Sequence, residues 1–277
     1  MSEEPRDGAA GPTPNFETIT LDVDAGLAHI TLRRPQALNS LSPQMMIELR
    51  DAFDIVAASP DVRALLLSGE GRAFCAGADL SQAGPATGSA PPRDVGLVVE
   101  DYVNPLVRRL AALEKPVVTA VQGAAAGAGC SLALQSDFVL VGRSAYFLQA
   151  FIHVGLIPDG GATWMLPRLV GLGRATTMMM LGERIKAEQA VEWGLAAQIF
   201  DDEALIDAAR DLGRRLAAGP TQALGLMRRA IRAGLSTDLA TSMQLERTLQ
   251  REAGFTSDYA EGVRAFKAGE RPSFTGI

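Results

Sequence analysis

The sequence predicts an α/β protein built of stacked β-β-α units and closed by a helical C-terminal segment. Three features carry that reading. Short β-rich runs alternate with helical stretches up to about Phe200, glycine-bearing turns punctuate the strand ends, and from Asp201 onward the apolar spacing is helical throughout. With 277 residues the chain can bury a substantial core.

The elements follow in order. Residues 1–14 are acidic and rich in Gly and Pro with no apolar run, so they read as a disordered tail and as neither a signal nor a transit peptide. Glu17 to Val23 and Leu27 to Arg33 read as strands, with alternating Ala28, Ile30 and Leu32, joined by a turn at Asp24-Ala25-Gly26. A helix follows with Ser42 as N-cap, Pro43 at its first position, and Met46, Leu49, Phe53 and Val56 on one face. Arg63 to Ser68 reads as a buried strand, and Ser81 to Asp94, lacking large apolar residues, as a mobile loop beside a candidate site. A second strand-to-helix passage runs from Val117 to Val121, turns at Gly123 to Gly129, and continues as an apolar helix through Leu134 into a strand at Phe138 to Val141. A third, less regular passage lies around Ile157 to Gly161. Asp201 to Ala217, Thr221 to Ala233 and Asp238 to Lys267 read as helices with charges outside. The expected division is a core over 15–200 and a helical oligomerisation region over 201–277.

Composition removes several function classes. A formal net charge of −6 argues against a nucleic-acid binder, which needs a concentrated basic face. Cys75 and Cys130 lack C-x-x-C spacing, and with only His29 and His153 beside them no zinc set can be assembled; no metal is expected. Free cysteines point to a reducing compartment, the cytoplasm. The uncharged stretch from Pro116 to Ser136 is long enough for a membrane span, but its glycines, Gln122 and Gln135 favour a strand, turn and buried helix, so no membrane partner is expected.

Three glycine-bearing turns hold the chemical signal: Arg72 to Leu80, Gln122 to Cys130, and Gly155 to Gly161. Small residues there let a ligand approach the backbone and leave N–H groups free to donate. At the second turn these donors open a helix, where negative charge is favoured. That outlines an oxyanion hole. Taken singly, each feature has a plainer reading. Gly127-Ala-Gly129 serves equally as a tight helix start, Cys75 as a small core hydrophobe, Asp79 as a turn or cap carboxylate, and Asp159 as a turn aspartate.

Together, the order and spacing of the turns resemble the enoyl-CoA hydratase/isomerase family, the crotonase superfamily, over nearly the whole chain. The resemblance rests on Leu32-Arg-Arg-Pro-Gln-Ala-Leu-Asn-Ser40, Ala73-Phe-Cys-Ala-Gly-Ala-Asp-Leu80 and Gln122 to Cys130. It implies a crotonase-type β-β-α spiral core with a helical C-terminal trimerisation region, in a trimer or dimer of trimers. It implies an acyl-CoA thioester substrate, with coenzyme A entering as part of that substrate and no permanently bound cofactor. It makes the amides of Ala78 and Ala128 the oxyanion donors. Ala37, Leu38, Ala76, Asp79 and Leu80 would line the coenzyme A channel, and Phe266 and Lys267 would approach the coenzyme A of a neighbouring subunit. Each oxyanion donor of this kind is worth about 3 to 4 kcal/mol in a transition state.

The chain departs from the hydratases of the family, which use two glutamates to activate water. Ser131 and Phe151 stand at those positions, and neither is a carboxylate base. Asp159 remains in the third turn, where apolar surroundings would raise its pKa. One carboxylate can take a proton from one carbon and return it to another, which is double-bond isomerisation. The Gly155 to Gly161 turn, Thr163 to Gly171, Ala187 to Gly194 and Asp258 to Phe266 resemble the subgroup of ring-1,2-epoxyphenylacetyl-CoA isomerases of phenylacetate catabolism, in which the matching aspartate is the acid/base. Two alternatives stay open: an enoyl-CoA hydratase aided by Asp159 alone, and a non-catalytic acyl-CoA-binding scaffold. His153 reads either as an acyl-pocket residue or as packing.

Overall fold

The computed structural model describes residues 15–82 and 94–277. The tail expected over 1–14, and nearly all of the loop expected from Ser81 to Asp94, fall outside those residues.

β1 (Ile19–Asp24) and β2 (Leu27–Leu32) form an antiparallel hairpin in which Asp24 pairs with Leu27. Ala25 and Gly26 both take positive φ, 48° and 79°, the geometry that matches the twist of the flanking strands. From β2 the chain crosses through α1 (Pro43–Ala58) to β3 (Ala64–Gly69), which lies parallel to β2. The Ser42 side chain accepts from the Met45 N–H, the expected cap, and Met46, Leu49, Phe53 and Val56 are buried as expected.

A second crossing uses α2 (Gly96–Val98), a π-helical turn at Val99–Val103 and α3 (Asn104–Ala112). It delivers β4 (Val117–Val121) parallel to β3. Next come β5 (Ala124–Ala126), α4 (Ala128–Ala133), β6 (Phe138–Gly142) and β7 (Tyr146–Leu148). After α5 (Ala162–Val170) and α6 (Leu172–Leu181), β8 (Ile185–Lys186), α7 (Ala187–Trp193) and β9 (Gln198–Phe200) complete the sheets. The larger sheet has the order β1-β2-β3-β4-β6-β9 and the smaller one β5-β7-β8.

Each turn of the chain therefore lays one strand in the large sheet and a short one beside it before a helix returns. Leu41, Cys75, β5 and β7 are those second strands; bridges join Leu41 to Ala78 and Cys75 to Ala125. The sequence reading treats Gly123 to Gly129 wholly as a turn, but Ala124–Ala126 is a strand. Alanines carry little strand preference of their own, and pairing with Cys75 on one side and β7 on the other supplies it. Ile157 to Gly161 contributes no strand; the strand of that passage is β7.

The main core fills the space between the two sheets and α1, α3, α4, α5 and α6, with Phe53, Phe74, Phe147 and Leu67 fully buried. A smaller core lies on the opposite face of the large sheet, under α8 (Leu205–Ala217). α9 (Thr221–Gly234), α10 (Leu239–Gly254) and α11 (Ser257–Ala268) complete the helical C-terminal region. The stretch expected as helical from Asp238 to Lys267 breaks at Phe255 and Thr256, where the Thr256 side chain caps α11 by accepting from the Tyr259 N–H. No helix among the described residues is long and apolar enough to cross a membrane.

Candidate active site

Two of the three turns meet through backbone pairing. Cys75 N donates to Ala124 O at 3.0 Å and Ala126 N to Cys75 O at 2.9 Å, so the first and second turns run side by side. Both then bend at a glycine with positive φ, 102° at Gly77 and 51° at Gly127. A Cβ on Gly77 would lie 2.9 Å from Ala126 O, too close for any side chain, so this approach of the two backbones requires glycine.

The residues that follow these bends are Ala78 and Ala128. Among the described residues neither amide donates to a backbone carbonyl, whereas the neighbouring Ala76, Asp79, Ala126 and Gly127 amides all do. Ala128 begins α4, only six residues long, so what it offers a ligand is its own free N–H rather than an extended macrodipole.

A framework of side chains holds the first turn. Asn39, fully buried with φ 54°, accepts from Arg34 N at 2.8 Å and donates to Glu70 O and Ala73 O at 2.9 Å each. Asparagine tolerates this left-handed conformation better than most residues. From the other side Gln122 donates to Gly69 O and Ala73 O. Arg34 also reaches Asp79, with Nη2 2.7 Å from Oδ2. The Asp79 carboxyl is held down at about 2 by its hydrogen bonds from Ser81 and then by Arg34.

Leu38 O accepts from Ala76 N, and Leu41 O from Asp79 N, so the segment that follows Ala37 runs beside Ala76, Ala78 and Asp79 of the first turn, with Leu80 next in the chain. Leu80 is 54% exposed. Phe266 and Lys267 are exposed residues of α11, which packs on α10 and on the chain end. Arg34, Asn39 and Gln122 are the residues that sequence reasoning left without a role. The signal for Asn39 was its place in the Leu32 to Ser40 motif, where a buried polar side chain needs partners.

The third turn brings Asp159 to α4. Ser131 Oγ donates to Asp159 O at 2.9 Å, one helical turn beyond Ala128. Asp159 Oδ1 is buried and has no hydrogen-bond partner. Burial pushes its carboxyl up to about 6. Phe151 is buried beside Gly127, its ring 3.9 Å from where a Cβ on that glycine would stand.

Both cysteines behave as core hydrophobes. Burial pushes the thiols of Cys75 and Cys130 up to about 12. His153 is exposed and packs against Gly182, where an added Cβ would meet its Nε2 at 2.6 Å. Among the described residues no three His, Cys, Asp or Glu side chains gather as metal ligands.

The chain and its fold have counterparts among known proteins. The family model for enoyl-CoA hydratase/isomerase matches residues 22–276, and the chain belongs to that family. It is 49% identical over 262 residues to 1,2-epoxyphenylacetyl-CoA isomerase of Escherichia coli K12, covering 94% of this chain and 99% of that one. It is 33% identical over 262 residues to trans-2-decenoyl-[acyl-carrier-protein] isomerase of Streptococcus mutans, covering 95% and 99%. The crystal structure of enoyl-CoA hydratase from Bacillus anthracis superposes with a TM-score of 0.88 at 31% identity, over 94% of this chain and all of that one. The protein is thus an enzyme of the crotonase superfamily, within its acyl-CoA isomerases and hydratases, and isomerase is favoured.

Proposed function

We propose that the protein isomerises an unsaturated or ring-epoxide acyl-CoA, with Asp159 as the single acid/base and the amides of Ala78 and Ala128 holding the thioester oxygen. The observation that carries this reading is the half-buried Asp159, whose Oδ1 is buried without a partner and whose carboxyl is raised to about 6. A carboxyl with that pKa is ionised at neutral pH and is a stronger base than one in water. It removes a proton from the carbon next to the thioester, or from the γ carbon of a conjugated chain, while negative charge collects on the oxygen. Two N–H donors already in place stabilise that enolate without reorganisation. The neutral carboxylic acid then returns the proton at another carbon and the double bond moves.

Ser131 and Phe151 support isomerisation over hydration, because neither supplies the second carboxylate that would activate water. Ala37, Leu38, Ala76, Asp79 and Leu80 would bind coenzyme A, with Phe266 and Lys267 completing the site of a neighbouring subunit. Exposed Met227 and Ile231 on α9 and Met243 on α10, with Phe255 just beyond α10, fit a trimer or dimer of trimers. The identity to a 1,2-epoxyphenylacetyl-CoA isomerase favours an aromatic acyl group.

The test is a screen of aliphatic and aromatic acyl-CoA thioesters in deuterated water, with wild type and Asp159→Asn. Exchange at the α or γ carbon that vanishes in the variant supports the assignment; undiminished exchange in Asp159→Asn refutes it. Incorporation of heavy oxygen from labelled water into a 3-hydroxy product would make the enzyme a hydratase. Binding without exchange across the panel would make it a non-catalytic scaffold.

A further inference from the structure

We infer that Ser131 in α4 and Gln135 in the turn just after it are positioning residues that clamp the Asp159 turn to the segment that presents the Ala128 amide. This rests on the acid/base reading of Asp159 above and adds to it how the base is held at a fixed distance from the oxyanion donor.

Two hydrogen bonds make the clamp. Ser131 Oγ donates to Asp159 O at 2.9 Å, and Gln135 Nε2 donates to Gly160 O at 3.2 Å, so consecutive carbonyls of the turn are pegged. Both side chains are buried, 1% and 4% exposed, so neither bond competes with bulk water. Sterics close the same contact. A Cβ on Gly160 would stand 2.8 Å from Ser131 Cβ, and one on Gly161 3.1 Å from Gln135 Nε2, so the turn lies directly on the two anchors.

Gln135 is itself fixed from behind. Arg232 of α9 donates to Gln135 O and, at 3.4 Å, to Gln135 Oε1, which orients the amide with Nε2 toward the turn. The Asp159 side chain receives no such support, since Oδ1 has no partner. Its aim therefore depends on its backbone. At position 131 the hydratases of the family carry a glutamate; here a hydroxyl uses that place to hold the remaining carboxylate's turn.

The clamp predicts a division between binding and chemistry. A reacting group displaced by about 1 Å costs roughly 100-fold in rate, while coenzyme A binding at the first turn is untouched. A loosened turn also admits water to the carboxyl, whose raised pKa comes from burial. The acid limb of the rate profile then moves to lower pH.

The experiment measures kcat, KM and the pH profile of trans-3-hexenoyl-CoA isomerisation for wild type, Ser131→Ala, Ser131→Thr, Gln135→Ala and Asp159→Asn. Expected for Ser131→Ala is a fall in kcat of roughly 100-fold, KM within about twofold, an acid limb shifted down, and recovery in Ser131→Thr, which restores the hydroxyl. Gln135→Ala carries the same expectation if Ser131→Ala does not fold. Wild-type kcat and acid limb in the Ser131 and Gln135 variants, with Asp159→Asn inactive, overturn the clamp and leave the base assignment standing. A rise in KM accompanying the fall in kcat, with an unmoved limb, also overturns it, as mere structural damage. Full activity in Asp159→Asn removes the base and the clamp together.

Discussion

Replacing Asp159 by Asn should stabilise the protein at neutral pH while abolishing its turnover. The carboxyl is moved from its usual 3.8 to about 6 by burial. Between those values the folded chain holds a proton that the unfolded chain has released, so unfolding loses a proton and wild-type stability falls as pH rises. By neutral pH the accumulated cost of keeping the carboxylate charged inside the fold is about 3 kcal/mol. Asparagine has no charge to desolvate, although its amide leaves a polar atom unpaired at a cost of about 1 kcal/mol. The net expectation is a gain of about 2 kcal/mol near pH 7.5, or roughly 5 °C in melting temperature, that disappears near about pH 4 where the wild-type carboxyl is also neutral. Denaturant unfolding of both proteins at the two pH values measures it. The turnover of the variant should fall by at least about 100-fold, the smaller end of what a positioned general base supplies. A stability difference that is the same at both pH values would refute the argument, because it would mean that the carboxylate is not paying for lost hydration.

Three further outcomes follow from the packing. For the wild type, kcat/KM should fall about tenfold per pH unit below about 6 as Asp159 takes up its proton; a flat profile there would dissociate the residue from the rate. Arg228→Ala should cost about 3 kcal/mol in denaturant unfolding, because the buried guanidinium binds Asp137 through Nε at 2.8 Å and the carbonyls of Leu110, Ala111 and Leu113, tying α9 to the end of α3. Gly129→Ala should destabilise by about 3 kcal/mol and lower turnover, since its Cβ would stand 2.5 Å from Cys75 O and 2.6 Å from Cys75 Sγ and so push α4 off the first turn; melting and turnover report the two effects.

The strands β1 to β4, β6 and helix α1 were legible because each carries its own signal: alternation in β2, an uncharged run in β3 and β4, and a Ser42-Pro43 start for α1. The short second strands were not. Ala124–Ala126 has no local preference for extension and becomes a strand only through Cys75 and β7, fifty and twenty-two residues away by position. The candidate site divides in the same way. Small residues at positions 76–78 and 127–129 suggested backbone open to a ligand, and the absence of glutamate at 131 and 151 pointed to Asp159 as the proposed base. The N–H and O–H groups of the Asn39, Gln122, Ser131 and Gln135 side chains donate to backbone carbonyls, which every residue possesses, so no sequence pattern identifies which of them will be used.

By itself the sequence determined the chemical inventory: two turns able to free an amide each, one carboxylate left near them, and a helical tail with apolar faces. Only the tertiary structure decided that Asp159 is half-buried with Oδ1 shut away from partners, and that α4 holds both Ala128 and the turn bearing Asp159. Desolvation and distance are properties of what surrounds a residue, and here the surroundings come from segments far apart in the chain.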